Sequence, residues 1–231
     1  MDLLLLHGAL GSKRQLKPLQ DRVGGHAIDL SGHGDREIHP EGITFEHFVE
    51  DIDVLFAEKE LAQADLFGYS MGGYAALLYA AKHPERVRSV ITVGTKLAWT
   101  EEGLQKELRK LDPDVMLAKV PAFAEALADV HGKDRWRSVV NAIARSMSEL
   151  AAAPLLTPEV VARIKCPVLL CVGDGDTTAV PSDTRAFAEG LSTAEVVILQ
   201  DTRHPFEEVD IDLLVATIER FLSQIGAISD R

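Results

Sequence analysis

Short apolar runs alternate along this chain with longer stretches in which apolar positions recur every three or four residues. The runs predict β-strands over residues 2–6, 26–30, 65–69, 87–93, 168–172 and 195–199. Most of them leave no polar position for a wet face, as expected of central parallel strands covered on both sides. The helical spacing falls over residues 45–56, 72–82, 183–191 and 211–225. Strand and helix in alternation imply an α/β fold: a mostly parallel sheet with helices on both faces.

One segment breaks the alternation. Residues 97–163 hold no strand, whereas Trp136, Val139, Val140, Ile143, Met147 and Leu150 repeat at helical spacing until Pro154. Pro113, Pro121 and Gly132 are expected to divide the segment into three or four short helices. An insertion after a strand's carboxyl end overhangs the edge where such sheets bind ligands. Residues 97–163 are therefore expected to form a helical lid, and residues 1–96 and 164–231 the core.

Composition narrows the partners. The 231 residues fit a single α/β domain able to bury a sizeable core. With 36 acidic residues against 24 Lys and Arg, the net charge of -12 would repel nucleic acid and anionic membranes. The opening Met1-Asp2 has no basic region, only four leucines precede His7, and no run approaches the roughly 18 apolar residues of a membrane span. A soluble, cytoplasmic protein acting on a small molecule is expected. Cys166 and Cys171, five residues apart in or beside a strand rising about 3.3 Å per residue, are too distant to bridge and are read as buried thiols. No histidine or cysteine pairs at ligand spacing accompany them, so no metal or cofactor is expected.

The chemistry concentrates in Leu66-Phe67-Gly68-Tyr69-Ser70-Met71-Gly72-Gly73-Tyr74, where an apolar strand runs through G-x-S-x-G into a helix. A serine held in the strained turn between strand and helix needs small neighbours, which Gly68, Gly72 and Gly73 supply. The turn lifts the Ser70 hydroxyl clear of the sheet and leaves the Met71 amide at the helix start, where an oxyanion can be received.

From this elbow outward, nearly the whole sequence resembles the α/β-hydrolase superfamily. Leu6-His7-Gly8-Ala9-Leu10-Gly11 is similar to the family's His-Gly loop, and by that match Ala9 supplies the second oxyanion amide. Asp29-Leu30-Ser31-Gly32-His33-Gly34 and His83-Pro84-Glu85-Arg86-Val87 resemble two further family segments of structural character. A serine hydroxyl needs a base, and the base an orienting acid. Gly173-Asp174-Gly175-Asp176 offers two acids after a strand. The family spacing selects Asp176, although the proline that the family often places three positions after its acid stands five positions on here, as Pro181. Asp174 remains the substitute. His204, after the last strand and in Arg203-His204-Pro205-Phe206, matches the family's histidine loop. Among the other histidines, His26, His39, His47 and His131 are read as surface or strand-edge groups, and His7, His33 and His83 as loop residues.

The resemblance implies a serine hydrolase cleaving a small carboxylic ester, thioester or lactone through an acyl-enzyme. Two alternatives use the same scaffold: a hydrolase or lyase of carbon-carbon bonds beside a ketone, and a small-ligand sensor with little turnover. Menaquinone-pathway lyases of the superfamily carry arginine where this chain has Tyr74, which counts against that alternative. Arg109, Arg135, Arg137 and Arg145 are available for a carboxylate substrate, but scattered basic residues on amphipathic helices usually face water.

Overall fold

A computed structural model describes residues 2–229, the last three by backbone alone. Met1 and residues 230–231 of the expected core segments lie outside the described residues. Six strands, β1 (Leu3–Leu6), β2 (His26–Ile28), β3 (Ala64–Tyr69), β4 (Val87–Val93), β5 (Val168–Gly173) and β6 (Ala194–Leu199), form one sheet in the order β2-β1-β3-β4-β5-β6. Every pairing is parallel. Because β2 lies on one side of β1 and β3 on the other, the carboxyl ends of β1 and β3 flank a crevice where the chain reverses its winding.

The strands bury both faces by simple alternation. Leu3, Leu5, Phe67, Ile91 and Leu169 pack with Leu19 of α1 (Lys17–Val23) and Leu214, Ile218 and Phe221 of α10 (Ile211–Ser229). Their neighbours Leu4, Leu6, Leu66, Val90 and Leu170 point the other way, onto α2 (Phe45–Glu58) and α3 (Met71–Lys82). The edge strands β2 and β6 are largely half-buried.

The 97–163 segment is helical, but it holds five helices rather than three or four. They are α4 (Glu101–Lys110), α5 (Pro113–Lys119), α6 (Pro121–His131), α7 (Trp136–Ala152) and α8 (Pro158–Val161). Nor are they all short, since α7 has 17 residues. The prolines act as starts as much as breaks: Pro113, Pro121 and Pro158 each occupy the first turn, where the missing N–H costs nothing. Pro181 likewise opens α9 (Pro181–Ala188), two residues before the expected helix.

Candidate active site

Strand β3 passes into α3 through Ser70, whose backbone stands at φ 51°, ψ -113°. This left-handed value costs an L-residue free energy, and the surroundings must enforce it. They do so by close approach. A Cβ on Gly68 would lie 2.3 Å from the Gly73 nitrogen, and one on Gly72 would lie 2.2 Å from the Leu6 carbonyl oxygen. The Ser70 amide donates to the Val93 carbonyl at 2.8 Å, tying the turn to β4. Met71 follows as the first residue of α3, so its N–H has no carbonyl four residues back within the helix.

The loop leaving β1 runs alongside. The Gly8 amide donates to Gln15 Oε1 at 3.1 Å, and Leu10 adopts φ 60°. Buried histidines fix this loop from behind. His7 Nε2 accepts from the Leu30 amide at 3.0 Å, so its Nδ1–H donates to the Gly8 carbonyl at 2.8 Å. His131, at the end of α6, accepts from the Gly34 amide at Nδ1 (3.0 Å) and donates from Nε2 to the Leu10 carbonyl (2.9 Å). Burial holds His7 down to about pKa 4, pushes His33 well below the usual histidine range and lowers His131 as well. All three are neutral at pH 7.

Two of the histidines read as surface groups are in fact interior. His131 and His47 are both buried. The partners of His131, Gly34 and Leu10, lie far along the chain, whereas His47 is covered by its near neighbours Glu41 and His39.

Behind the serine, the loops after β5 and β6 bring Asp176 and His204 together. Ser70 Oγ lies 3.2 Å from His204 Nε2, and His204 Nδ1 lies 2.8 Å from Asp176 Oδ2. Asp176 is buried, and its other oxygen accepts from the amides of Thr178 and Ala179, each at 2.8 Å. Asp174 points elsewhere, accepting from the Thr202 amide at 3.2 Å. Two contributors carry no motif of their own. The Tyr69 hydroxyl donates to the His204 carbonyl at 2.8 Å, and Gly94, at φ +60°, leaves room where a Cβ would sit 3.3 Å from Asp176 Oδ2 and 3.4 Å from His204 Nδ1.

A cavity of about 700 Å³ opens over these groups, bounded below by Ala9, Ser70, Met71 and His204. Much of its wall is apolar and comes from the 97–163 segment, with Leu111, Met116, Phe123, Ile143, Met147 and Leu150, joined by Phe45 and Tyr74. Lys96 also lines it, donating to the Thr178 carbonyl at 3.1 Å and lying 5.1 Å from the centre of the Trp99 ring. The four arginines considered as carboxylate holders do not line it. Arg135 donates to the carbonyls of Gly34 and Arg36, Arg137 pairs with Asp114, and Arg145 donates to the Glu41 carbonyl. Tyr74 is also structural, its hydroxyl accepting from the amides of Leu155 and Leu156 at 3.1 and 2.9 Å. Cys166 and Cys171 are buried, with thiols pushed up to about 12 by that burial.

The family model for the alpha/beta hydrolase fold matches residues 3–142, spanning the β1 loop and the serine turn. The chain belongs to the alpha/beta hydrolase fold family. Within it, a proline iminopeptidase of Pestalotiopsis fici is 26% identical over 96% of this chain and 91% of its own length. Lipase 3 of a Moraxella species is 24% identical over 87% of this chain and 71% of its own. Other curated relatives match only locally, so that this α/β hydrolase spans 26% and 33% of their lengths. Among solved structures, a thermophilic esterase from Thermogutta terrifontis superposes with a TM-score of 0.77 at 21% identity, over 97% of this chain and 90% of that one. The chain is thus an enzyme of a hydrolase family. No described helix of this α/β hydrolase is long and apolar enough to cross a membrane.

Proposed function

We propose that this α/β hydrolase is a serine esterase that cleaves a small carboxylic ester through an acyl-enzyme, with Ser70, His204 and Asp176 as its catalytic residues. The observation that carries the reading is the continuous hydrogen-bonded line from Ser70 through His204 to buried Asp176 at the base of an apolar cavity. Relatives named as a lipase and an iminopeptidase make attack on an acyl carbon the natural chemistry, and the apolar walls favour an ester with an aliphatic or aromatic acyl part over a polar amide.

In the reaction, Ser70 Oγ passes its proton to His204 Nε2 and attacks the ester carbonyl carbon. The carbonyl oxygen takes the electron pair and is received by the Ala9 and Met71 amides, which gain most when the charge is fully developed. His204 returns the proton to the departing alkoxide, leaving Ser70 acylated. Water then gives a proton to His204 and repeats the attack, and the acid departs with Ser70 restored. Asp176 keeps the His204 Nδ1–H in place, so that Nε2 presents its lone pair to the serine. Residues 97–163 serve as the lid that shapes the acyl pocket, while residues 1–96 and 164–231 supply the chemistry.

The test is steady-state hydrolysis of nitrophenyl esters of increasing acyl length by the wild type and by Ser70→Ala. Turnover by the wild type alone, with an optimum of chain length set by the 700 Å³ cavity, is the expected result. Equal rates for the two proteins overturn the reading. Turnover of ketone substrates but no ester would replace it with carbon-carbon bond cleavage, and ligand binding without turnover of any acyl substrate would replace it with sensing.

A further inference from the structure

The loop that carries Ala9 is a tight turn whose shape its own residues do not favour. The Gly11 amide donates to the Gly8 carbonyl at 3.1 Å, closing Gly8-Ala9-Leu10-Gly11, and Leu10 stands at φ 60° in the third position, where turns of this shape prefer glycine or asparagine. The peptide bonds of the described residues are all trans, so the Ala9 N–H points away from the Gly8 carbonyl of the same peptide group, which accepts from His7 Nδ1 and from the Gly11 amide. Among the described residues the Ala9 amide has no acceptor, and both Ala9 and Leu10 line the cavity above Ser70.

The bond that holds the far side of this turn comes from the 97–163 segment. His131, the last residue of α6, donates from Nε2 to the Leu10 carbonyl at 2.9 Å while its Nδ1 accepts from the Gly34 amide at 3.0 Å. The Gly34 N–H fixes the tautomer, since an acceptor at Nδ1 leaves the ring hydrogen on Nε2. Burial lowers His131 and keeps it neutral, the form that both bonds require. His33 packs between this ring and that of His7, with centroids 5.8 and 5.0 Å away. His131 does not line the cavity, but Phe123 of the same helix does, about 12 Å along its axis. We infer that His131 is a positioning residue for ester cleavage, holding the Ala9 amide, through Leu10, at the place where the oxyanion forms. The inference rests on the esterase reading proposed above.

A left-handed conformation at a non-glycine residue persists only where the surroundings enforce it. Without the donor at His131 Nε2 the Leu10 carbonyl is released, the turn is free to leave φ 60°, and the Ala9 amide loses its fixed place. That loss acts on the oxyanion more than on the bound ester, because the hydrogen bond gains most when the oxygen is fully charged, so kcat falls and KM changes little. A structural role alone would lower activity only as far as folded protein is lost. Side chains of two lengths separate the two bonds of His131. Asn reaches only as far as Nδ1, keeping an oxygen for the Gly34 amide but offering no donor at the Leu10 carbonyl. Gln reaches as far as Nε2 and can place an NH2 there.

The test measures kcat and KM on a nitrophenyl ester for the wild type, Ser70→Ala, His131→Asn and His131→Gln, per folded chain and well below the lowest thermal midpoint. Beside them stands the affinity for an aryl trifluoromethyl ketone. Ser70 Oγ adds to the ketone carbonyl carbon as its proton passes to His204, leaving an oxyanion where that of the ester would form. His131→Asn should lower kcat and the affinity for the ketone together, by roughly tenfold to 100-fold, with KM within about threefold of wild type. His131→Gln should recover most of both losses. A wild-type kcat in His131→Asn, or a His131→Gln no more active than His131→Asn, overturns the inference while the esterase reading stands. Ester turnover that is absent from the wild type or survives Ser70→Ala overturns the esterase reading, and the inference falls with it.

Discussion

Replacing Asp176 by Asn probes the site more sharply than deletion does, because the structure dictates how the amide must sit. The Thr178 and Ala179 amides both donate to Asp176 Oδ1, each at 2.8 Å. An amide NH2 cannot face two donors, so the Asn oxygen stays with them and the NH2 takes the place of Oδ2, 2.8 Å from His204 Nδ1. It then donates to Nδ1, which must give up its hydrogen. The proton moves to Nε2 and points at Ser70, and the base is lost while every heavy atom keeps its position. In triads of this kind the wrong tautomer lowers kcat by about 10⁴-fold, or about 5.5 kcal/mol at the transition state. Stability should change little, since both backbone donors remain paired. The assay is kcat/KM on a nitrophenyl ester together with the thermal midpoint, for Asp176→Asn and for Asp174→Asn, whose side chain serves the Thr202 amide. Activity of Asp176→Asn within tenfold of wild type, or a larger loss in Asp174→Asn, would mean that Asp176 does not orient His204.

Three further outcomes are expected. Buried His7 takes up a proton near pH 4 when folded and near pH 6.5 when unfolded, so its contribution to stability is complete above pH 6.5 and falls as pH drops toward 4. Roughly 3 kcal/mol of the loss over that window should come from His7, added to what buried His33 and His131 contribute, so chemical denaturation at several pH values should show a shallower fall in His7→Gln than in the wild type; equal slopes contradict the assignment. Gly94→Ala forces a side chain onto φ +60° at a cost of about 1–2 kcal/mol and presses a methyl group on Asp176 and His204, so kcat should fall more than KM rises; unchanged kcat contradicts this. Tyr74→Phe strands the Leu155 and Leu156 amides and should cost about 1–3 kcal/mol in denaturant titrations while sparing the elbow serine's reactivity, and a variant as stable as wild type contradicts that role.

The sheet was legible because both its faces are covered. Leu3 to Leu6 can be apolar at every position only where alternate side chains enter two separate cores. The serine turn was legible because Gly68 and Gly72 are forced by contacts closer than any side chain allows. The choice between Asp174 and Asp176 was not legible from local sequence, since both leave the same strand and differ only in which loop each side chain meets. Residues 97–163 were legible as helical but not in their divisions, where proline marks a start as readily as a stop. His131 was misread because its burial depends on Gly34 and Leu10, distant in the chain and silent in its local pattern, and His47 because the turn that folds His39 and Glu41 over it is not marked by hydrophobic periodicity. Gly94 and Tyr69 were missed for the same reason: each acts on His204 from another strand or its connecting loop.

If Ser70 is the nucleophile, a fluorophosphonate should mark it, which mass spectrometry of the treated protein, with the modified peptide sequenced, reads directly. One adduct per chain is expected, on Ser70 Oγ, absent from Ser70→Ala and greatly slowed in Asp176→Asn. No adduct, or one on any other residue with Ser70 unmodified, would contradict it.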